Sequence, residues 1–133
     1  MTELDRDGRS PLHYASGPEG DERLVRRLLA VGAEAGRADR NGWTPLHFAA
    51  SANRAETAQL LLDAGAEVDA TDDHGNTPLF RAVFAYAGDD ATITVLRNAG
   101  ADPSLSNAHG HTPAGLARLI ATSDVARLFE DPA

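Results

Sequence analysis

The chain has no cysteine, no lysine, little aromatic content and no long apolar run. Without cysteine there is no disulfide framework and no thiolate chemistry, which fits a cytoplasmic protein. No stretch approaches the ~20 apolar residues of a membrane span, and the opening MTELDRDG is acidic and polar where a secretory signal would be cationic and then apolar. All twelve cations are arginine, with 25 alanines and two isoleucines. That bias points to a GC-rich, bacterial genome.

Chemistry-bearing motifs are also missing. No Ser/His/Asp arrangement has local support, and no GxGxxG or Walker-type loop occurs. The acids Glu67, Asp69, Asp72 and Asp73 are spaced unlike a calcium loop and lack its closing glutamate. His74, His109 and His111 could supply imidazole to zinc, but no cysteine or close carboxylate pair completes a set. No catalytic, cofactor-binding or metal-binding residue is therefore expected, and the chain is not expected to be an enzyme. Net charge is −8, distributed unevenly: residues 1–54 hold eight arginines and eight acids, residues 55–133 four and twelve. Such a field repels phosphate backbones and anionic membranes, which argues against nucleic-acid and membrane partners.

What is present is a repeat. The segments DGRSPLHYAS, NGWTPLHFAA, HGNTPLFRAV and HGHTPAGLAR place Gly8, Gly42, Gly75 and Gly110 at intervals of 34, 33 and 35 residues. A second set, Gly32, Gly65 and Gly100, keeps the same period after LLAVGA, LLDAGA and LRNAGA. In the second unit Asn41-Gly42 makes a turn, Thr44 caps a helix and Pro45 occupies its first position, where a missing N–H costs nothing. Leu46, Ala49 and Ala50 follow at helical spacing. A second helix runs through Leu60-Leu61-Leu62 to a left-handed cap at Gly65. Each unit reads as turn, short helix, loop, helix, and only stacking buries its Leu and Ala face.

The pattern D-x-x-G-x-T-P-L-H-x-A-A followed by L-L-L-x-x-G-A resembles the ankyrin repeat, over residues 5 to about 130. The resemblance implies an all-α solenoid of four helix-turn-helix repeats with short hairpin-like turns, a single domain with repeats at about 5–38, 39–71, 72–106 and 107–131. It also implies a concave face of inner helices, a convex back, projecting turns and a protein partner in place of a catalytic site. His13 and His47 then bond the turn backbone. Departures are Phe80 in the histidine slot, Arg97 in place of leucine, Ala114-Gly115 in the last repeat, and a two-residue expansion between Pro78 and Gly100. Arg27, aligned with Leu60, and a last helix over 124–131, capped by Ser123 and carrying Glu130 in the register of Leu62, suggest polar ends and a stable monomer.

Turn side chains take little part in such a stack, so they are free for recognition. Aligned finger positions read Arg6, Arg40, Asp73, Ala108 and then Arg9, Trp43, Asn76, His111; the concave row reads Tyr14, Phe48, Arg81, Leu116. The expected partner-binding set is Arg6, Arg9, Tyr14, Arg40, Trp43, Phe48, Asn76, Arg81 and His111, with Phe84 and Tyr86 from the expansion. Trp43, flanked by Arg9 and Arg40, either meets a partner as Trp and Arg do at hot spots or folds onto Phe48. The third inner helix is expected to continue past Val83, with the loop after it overhanging the groove; alternatively Phe84 and Tyr86 pack on neighbouring repeats. An acidic or mixed-charge partner patch is expected at the N-terminal fingers and a more basic one near Asp89-Asp90. An inhibitor or immunity-type protein that neutralises one enzyme or toxin is the alternative function.

Overall fold

Each finger of the stack is built around one side chain. The Oδ1 atoms of Asp5, Asp39, Asp72 and Asn107 each accept two backbone N–H groups, two and four residues ahead, at 2.9–3.0 Å. Each closes the same five-residue finger, and these four positions repeat with the period of the glycines. The computed structural model describes residues 4–120 and Phe129. The helix expected over 124–131 with Ser123 as its cap, and the polar face it carries, fall outside the described residues apart from Phe129.

After each finger a hydroxyl opens a helix with proline at its first position. Thr44, Thr77 and Thr112 accept the N–H three residues on, at 3.4, 3.2 and 3.0 Å. The inner helices are α1 (Pro11–Ser16), α3 (Pro45–Ser51), α5 (Pro78–Phe84) and α7 (Pro113–Leu119). Between them run the outer helices α2 (Glu22–Ala30), α4 (Ala55–Asp63) and α6 (Ala91–Asn98), and the described residues contain no strand. Each inner helix packs on the next, α2, α4 and α6 pack in series, and each packs on the inner helix before it. The fold is the all-α solenoid that the repeat pattern implies.

Small residues let the inner helices approach closely. Ala15, Ala49, Ala82 and Ala117 form a buried row, with Leu12, Leu46 and Leu79 buried beside them. Leu61 and Leu96 fill the space between the two layers with no exposed surface. Arg97, the departure from leucine in α6, lays its guanidinium 5.1 Å from the centroid of the Phe129 ring. Phe80 is buried in the histidine slot.

Two expectations need correction. The third inner helix does not run on: α5 is as long as α3, seven residues each, and ends at Phe84. The connection 85–90 is three residues longer than 52–54 and α6 one residue shorter than α4; Phe84 is 67% exposed, as the equivalent Ser51 and Leu119 are exposed, while Tyr86 turns against the core. The N-terminal end is also less polar than the Arg27 register suggests. Leu60, its counterpart, is only half-buried, so that register is not the main repeat contact. The position that a preceding repeat covers is that of Thr57 and Thr92, 2% and 1% exposed; the first repeat has Leu24 there, 38% exposed.

The fingers approach one another through backbone. Arg40, Asp73 and Ala108 donate their N–H groups to Asp7, Asn41 and His74 carbonyls at 2.7–2.9 Å. A Cβ on Gly42 (φ +80°) would meet the Asp72 Cα and Asp73 N at 2.8 Å, whereas one on Gly110 (φ +79°) would meet nothing. Gly110→Ala should therefore cost the left-handed penalty alone, roughly 1–2 kcal/mol. Gly42→Ala should cost about 1 kcal/mol or more beyond that, since backbone cannot swing aside as a side chain can. Urea titration of the two variants side by side checks the difference, and equal midpoints would mean that the fingers are not in contact.

Candidate protein-binding groove

The two fully buried histidines connect each finger to the next repeat. The Nδ1 of His13 accepts the Ser10 N–H at 2.9 Å, and that of His47 accepts the Thr44 N–H at 3.1 Å. This leaves Nε2 as the donor, to the Trp43 carbonyl at 3.0 Å and the Asn76 carbonyl at 2.9 Å. Burial pushes both imidazoles below their ordinary value, against the opposing pull of those carbonyls. The neutral rings thus fix the backbone of residues 43 and 76, and with it the direction in which Trp43 leaves the finger.

From that position the Trp43 ring packs edge-on against Phe48, centroids 5.1 Å apart, and lies 5.8 Å from His47. Its other neighbour is Arg81 of the third repeat, with the guanidinium carbon 4.6 Å from the indole centroid. Arg9 of the first repeat sits in the same way over Phe48 at 5.2 Å and near Tyr14 at 5.9 Å. A continuous row therefore crosses three repeats: Tyr14, Arg9, Phe48, Trp43, Arg81. Trp43 is half-buried, between the two placements that the sequence leaves open. Its flanking cation is Arg81, not Arg40. Arg40 stays exposed at the finger tip, because its backbone is tied to Asp7 of the preceding finger.

Each stacked arginine is held from behind by the carboxylate that builds a finger. Arg81 reaches Asp72 Oδ2 at 2.8 Å and Arg9 reaches Asp39 Oδ2 at 3.2 Å, with the two acid side chains 0% and 1% exposed. Burial alone would raise the Asp72 carboxyl; the Arg81 hydrogen bond and the amides of Asn76 and His74 outweigh it and hold the group below its ordinary value. Asp39 and Asp72 were missed as groove residues, although their place in the repeated D-x-x-G was visible. One oxygen of each closes the turn and the other fixes a guanidinium, so these arginines present ring-stacked, restrained donors to the groove.

The predicted residues separate into groups. Arg9, Trp43, Phe48 and Arg81 come together with Asn41 and His74 around an open cleft of about 430 Å³. Tyr14, half exposed, belongs to the adjoining cleft on the first repeat, and its hydroxyl bonds the Asp5 carboxylate. Arg6 and His111 are exposed on their fingers. Asn76 does not join the groove: it is buried, and its Oδ1 accepts from Asn107 Nδ2 at 2.8 Å, tying the third finger to the fourth. Phe84 and Leu119, equivalent positions on α5 and α7, are each 67% exposed at the other end of the inner-helix row. Tyr86 packs on the core. Among the described residues no His, Asp and Glu converge as metal ligands, and no helix is long and apolar enough to cross a membrane.

Paired helices stacked behind projecting turns define a solenoid repeat protein. The profile of ankyrin repeats (3 copies) matches residues 12–107, and the chain belongs to the ankyrin-repeat family, whose members are generally protein–protein interaction modules and typically non-catalytic. The ankyrin repeat domain-containing protein 13B of Mus musculus and Homo sapiens is 47% identical over 62 residues, which is 47% of this chain and 10% of that protein. The human transient receptor potential cation channel subfamily A member 1 is 38% identical over 63 residues, 47% of this chain and 6% of the channel. The human neurogenic locus notch homolog protein 4 is 47% identical over 58 residues, 41% of this chain and 3% of that protein. The chain thus spans a small fraction of each of these relatives.

Proposed function

We propose that this chain binds another protein through the groove between its fingers and inner helices, and that it acts by occupying that partner, without catalysis. The observation that carries the reading is the row Tyr14, Arg9, Phe48, Trp43, Arg81. Aromatic and guanidinium groups stand half-exposed, yet their conformations are set in advance by buried carboxylates and stacking, which lowers the ordering cost of association. Tryptophan, tyrosine and arginine are also the residues that dominate binding hot spots. Phe84 and Leu119 extend the surface with apolar area. Arg6, Arg40 and His111 form its rim, a site for an acidic or mixed-charge partner patch, while a basic patch would suit Asp89-Asp90. Cytoplasmic residence in a bacterium fits the composition, and inhibition of one cognate enzyme or toxin remains the alternative outcome of such binding.

A photo-crosslinking residue at Asn41, which lines the cleft, identifies the partner in an extract of the source cells; calorimetry with the purified partner then tests the groove. Trp43→Ala should weaken binding by roughly 2 kcal/mol, about thirtyfold, while Gln59→Ala on the outer surface leaves it unchanged. In the free protein Arg81→Ala should red-shift the single tryptophan's emission by uncovering one face of the ring, and partner binding should shift the wild type to the blue. Undiminished affinity in both Trp43→Ala and Phe84→Ser would place the interface elsewhere. A partner enzyme whose activity falls in proportion to occupancy would select the inhibitor reading over a scaffold.

A further inference from the structure

Among the described residues, no carboxylate lines the cleft around Trp43. Its walls hold two cations, Arg9 and Arg81, together with Asn41, Trp43, Phe48 and His74. The chain carries a net charge of −8, and other clefts include acids: Glu19, Glu34, Asp63 and the group Glu22, Glu56 and Asp89. The acids that balance the two arginines lie behind them. The side chains of Asp39 and Asp72 are 1% and 0% exposed, those of Arg9 and Arg81 29% and 19%. A ligand in the cleft therefore meets guanidinium before carboxylate. Arg81 gives Asp72 its Nη2, and a guanidinium carries five N–H donors, so others remain for the cleft. Arg9 lies over Phe48 and Arg81 over Trp43, which sets these donors beside apolar walls.

Arg9 and Phe48 also line the adjoining cleft on the first repeat, with Tyr14, Gly17, Pro18 and Glu19. The two clefts thus form one trough whose ends differ in charge. We propose, resting on the groove reading above, that the partner enters this trough as an extended segment that places one carboxylate side chain in the Trp43 cleft and an apolar side chain in the Tyr14 cleft. The fields of Arg9 and Arg81, one from each neighbouring repeat, add at the first position, and both groups are already held in place, so little ordering is needed. At the second position Glu19 repels another acid, while Tyr14, Phe48 and Pro18 favour apolar contact. A singly charged group suits this site better than a phosphorylated one. The net charge of the chain repels an anion in proportion to its charge, and a phosphorylated side chain bears nearly twice that of a carboxylate.

Random dodecapeptides displayed on phage, selected on the immobilised 133-residue chain and depleted of those that bind Trp43→Ala, test this. The emission of the single tryptophan then reads the affinity of synthetic copies. The selected peptides should share an Asp or Glu near an apolar residue. Replacing that acid by its amide should weaken binding about tenfold or more. Asn41→Asp sets a carboxylate in the cleft wall and should weaken the acidic peptides by a similar factor while sparing their amide forms. Asp7 holds the same finger position in the first repeat, so the turn accepts the change. Trp43-dependent peptides without an acid, an amide form that binds as well, or a phosphoserine form that binds about tenfold tighter overturns the carboxylate assignment and leaves the groove reading standing. The absence of any Trp43-dependent peptide overturns the extended segment too, and calorimetry with the crosslinked partner then decides the groove reading by itself.

Discussion

Leu61→Ala is expected to lower the unfolding free energy by roughly 2–5 kcal/mol, the range for fully buried leucines whose cavity the surroundings cannot close. Leu61 has no exposed surface and stands on α4, the central outer helix, between α2 and α6. A repeat has no core of its own, so the loss is shared with the neighbours that the side chain touches. Hydrogen exchange should quicken in α2 and α6 as well as in α4. Faster exchange confined to residues 55–63 would show that the repeats are stable independently, contrary to the stack. Denaturant unfolding at several probe positions gives the same test in another form, since a coupled stack loses all signals together.

Acidification below about pH 6.5 should produce the second large loss. His13 and His47 are folded in their neutral forms, with Nδ1 accepting an amide N–H, so a second proton would break the bond from Ser10 or Thr44 that opens each helix. Burial lowers both below the 6.5 of an unfolded imidazole. As pH falls through 6.5 the unfolded chain takes up protons that the folded chain refuses, and stability drops. The loss continues until pH passes below the folded values, where it levels off. The slope for each histidine climbs toward about 1.4 kcal/mol per pH unit only well below pH 6.5, so the pair can remove at most about 2 kcal/mol between pH 6.5 and 5.5. Asp72, held below its ordinary 3.8, adds its own loss only under that pH. Urea midpoints at a series of pH values measure this slope, and His13→Gln with His47→Gln should flatten it. A midpoint unchanged from pH 7 to 5.5 would mean that these rings accept protons in the folded state.

Much of the molecule is legible in the sequence because its signals act over a few residues. Thr44 with Pro45 starts a helix through one hydroxyl and one fixed φ, and Gly65 ends another by accepting a left-handed conformation. Repetition of these signals at 33–35 residues defines the register, and the register gives the solenoid and the rows of finger and groove positions. Half of the histidine slot belongs to the same class: His13 and His47 accept the Ser10 and Thr44 N–H groups within their own repeats, while their Nε2 atoms reach the next finger. Asp39 and Asp72 stood in that repeated pattern too, yet their second oxygens, which hold Arg9 and Arg81, have partners that local spacing does not reveal.

Tertiary structure decided whatever depends on the neighbouring repeat. Trp43 and Asn76 occupy the same finger position, but Trp43 meets Arg81 across the groove and stays half-exposed, while Asn76 meets Asn107 and is buried. Nothing in either finger distinguishes the two, because the side chain that covers each belongs to the next repeat. Phe84 and Tyr86 separate for a related reason: α5 keeps the seven residues that its neighbours accommodate, and the extra length goes to the loop. At the end of the stack, Leu24 reads as one more residue of an amphipathic helix. Only the burial of Thr57 and Thr92 in the same place shows that it faces along the solenoid axis. The sequence by itself determined the repeating unit and its register, which are local. Which side chains remain available to a partner was decided by packing between units, since exposure depends on atoms brought close from elsewhere in the chain.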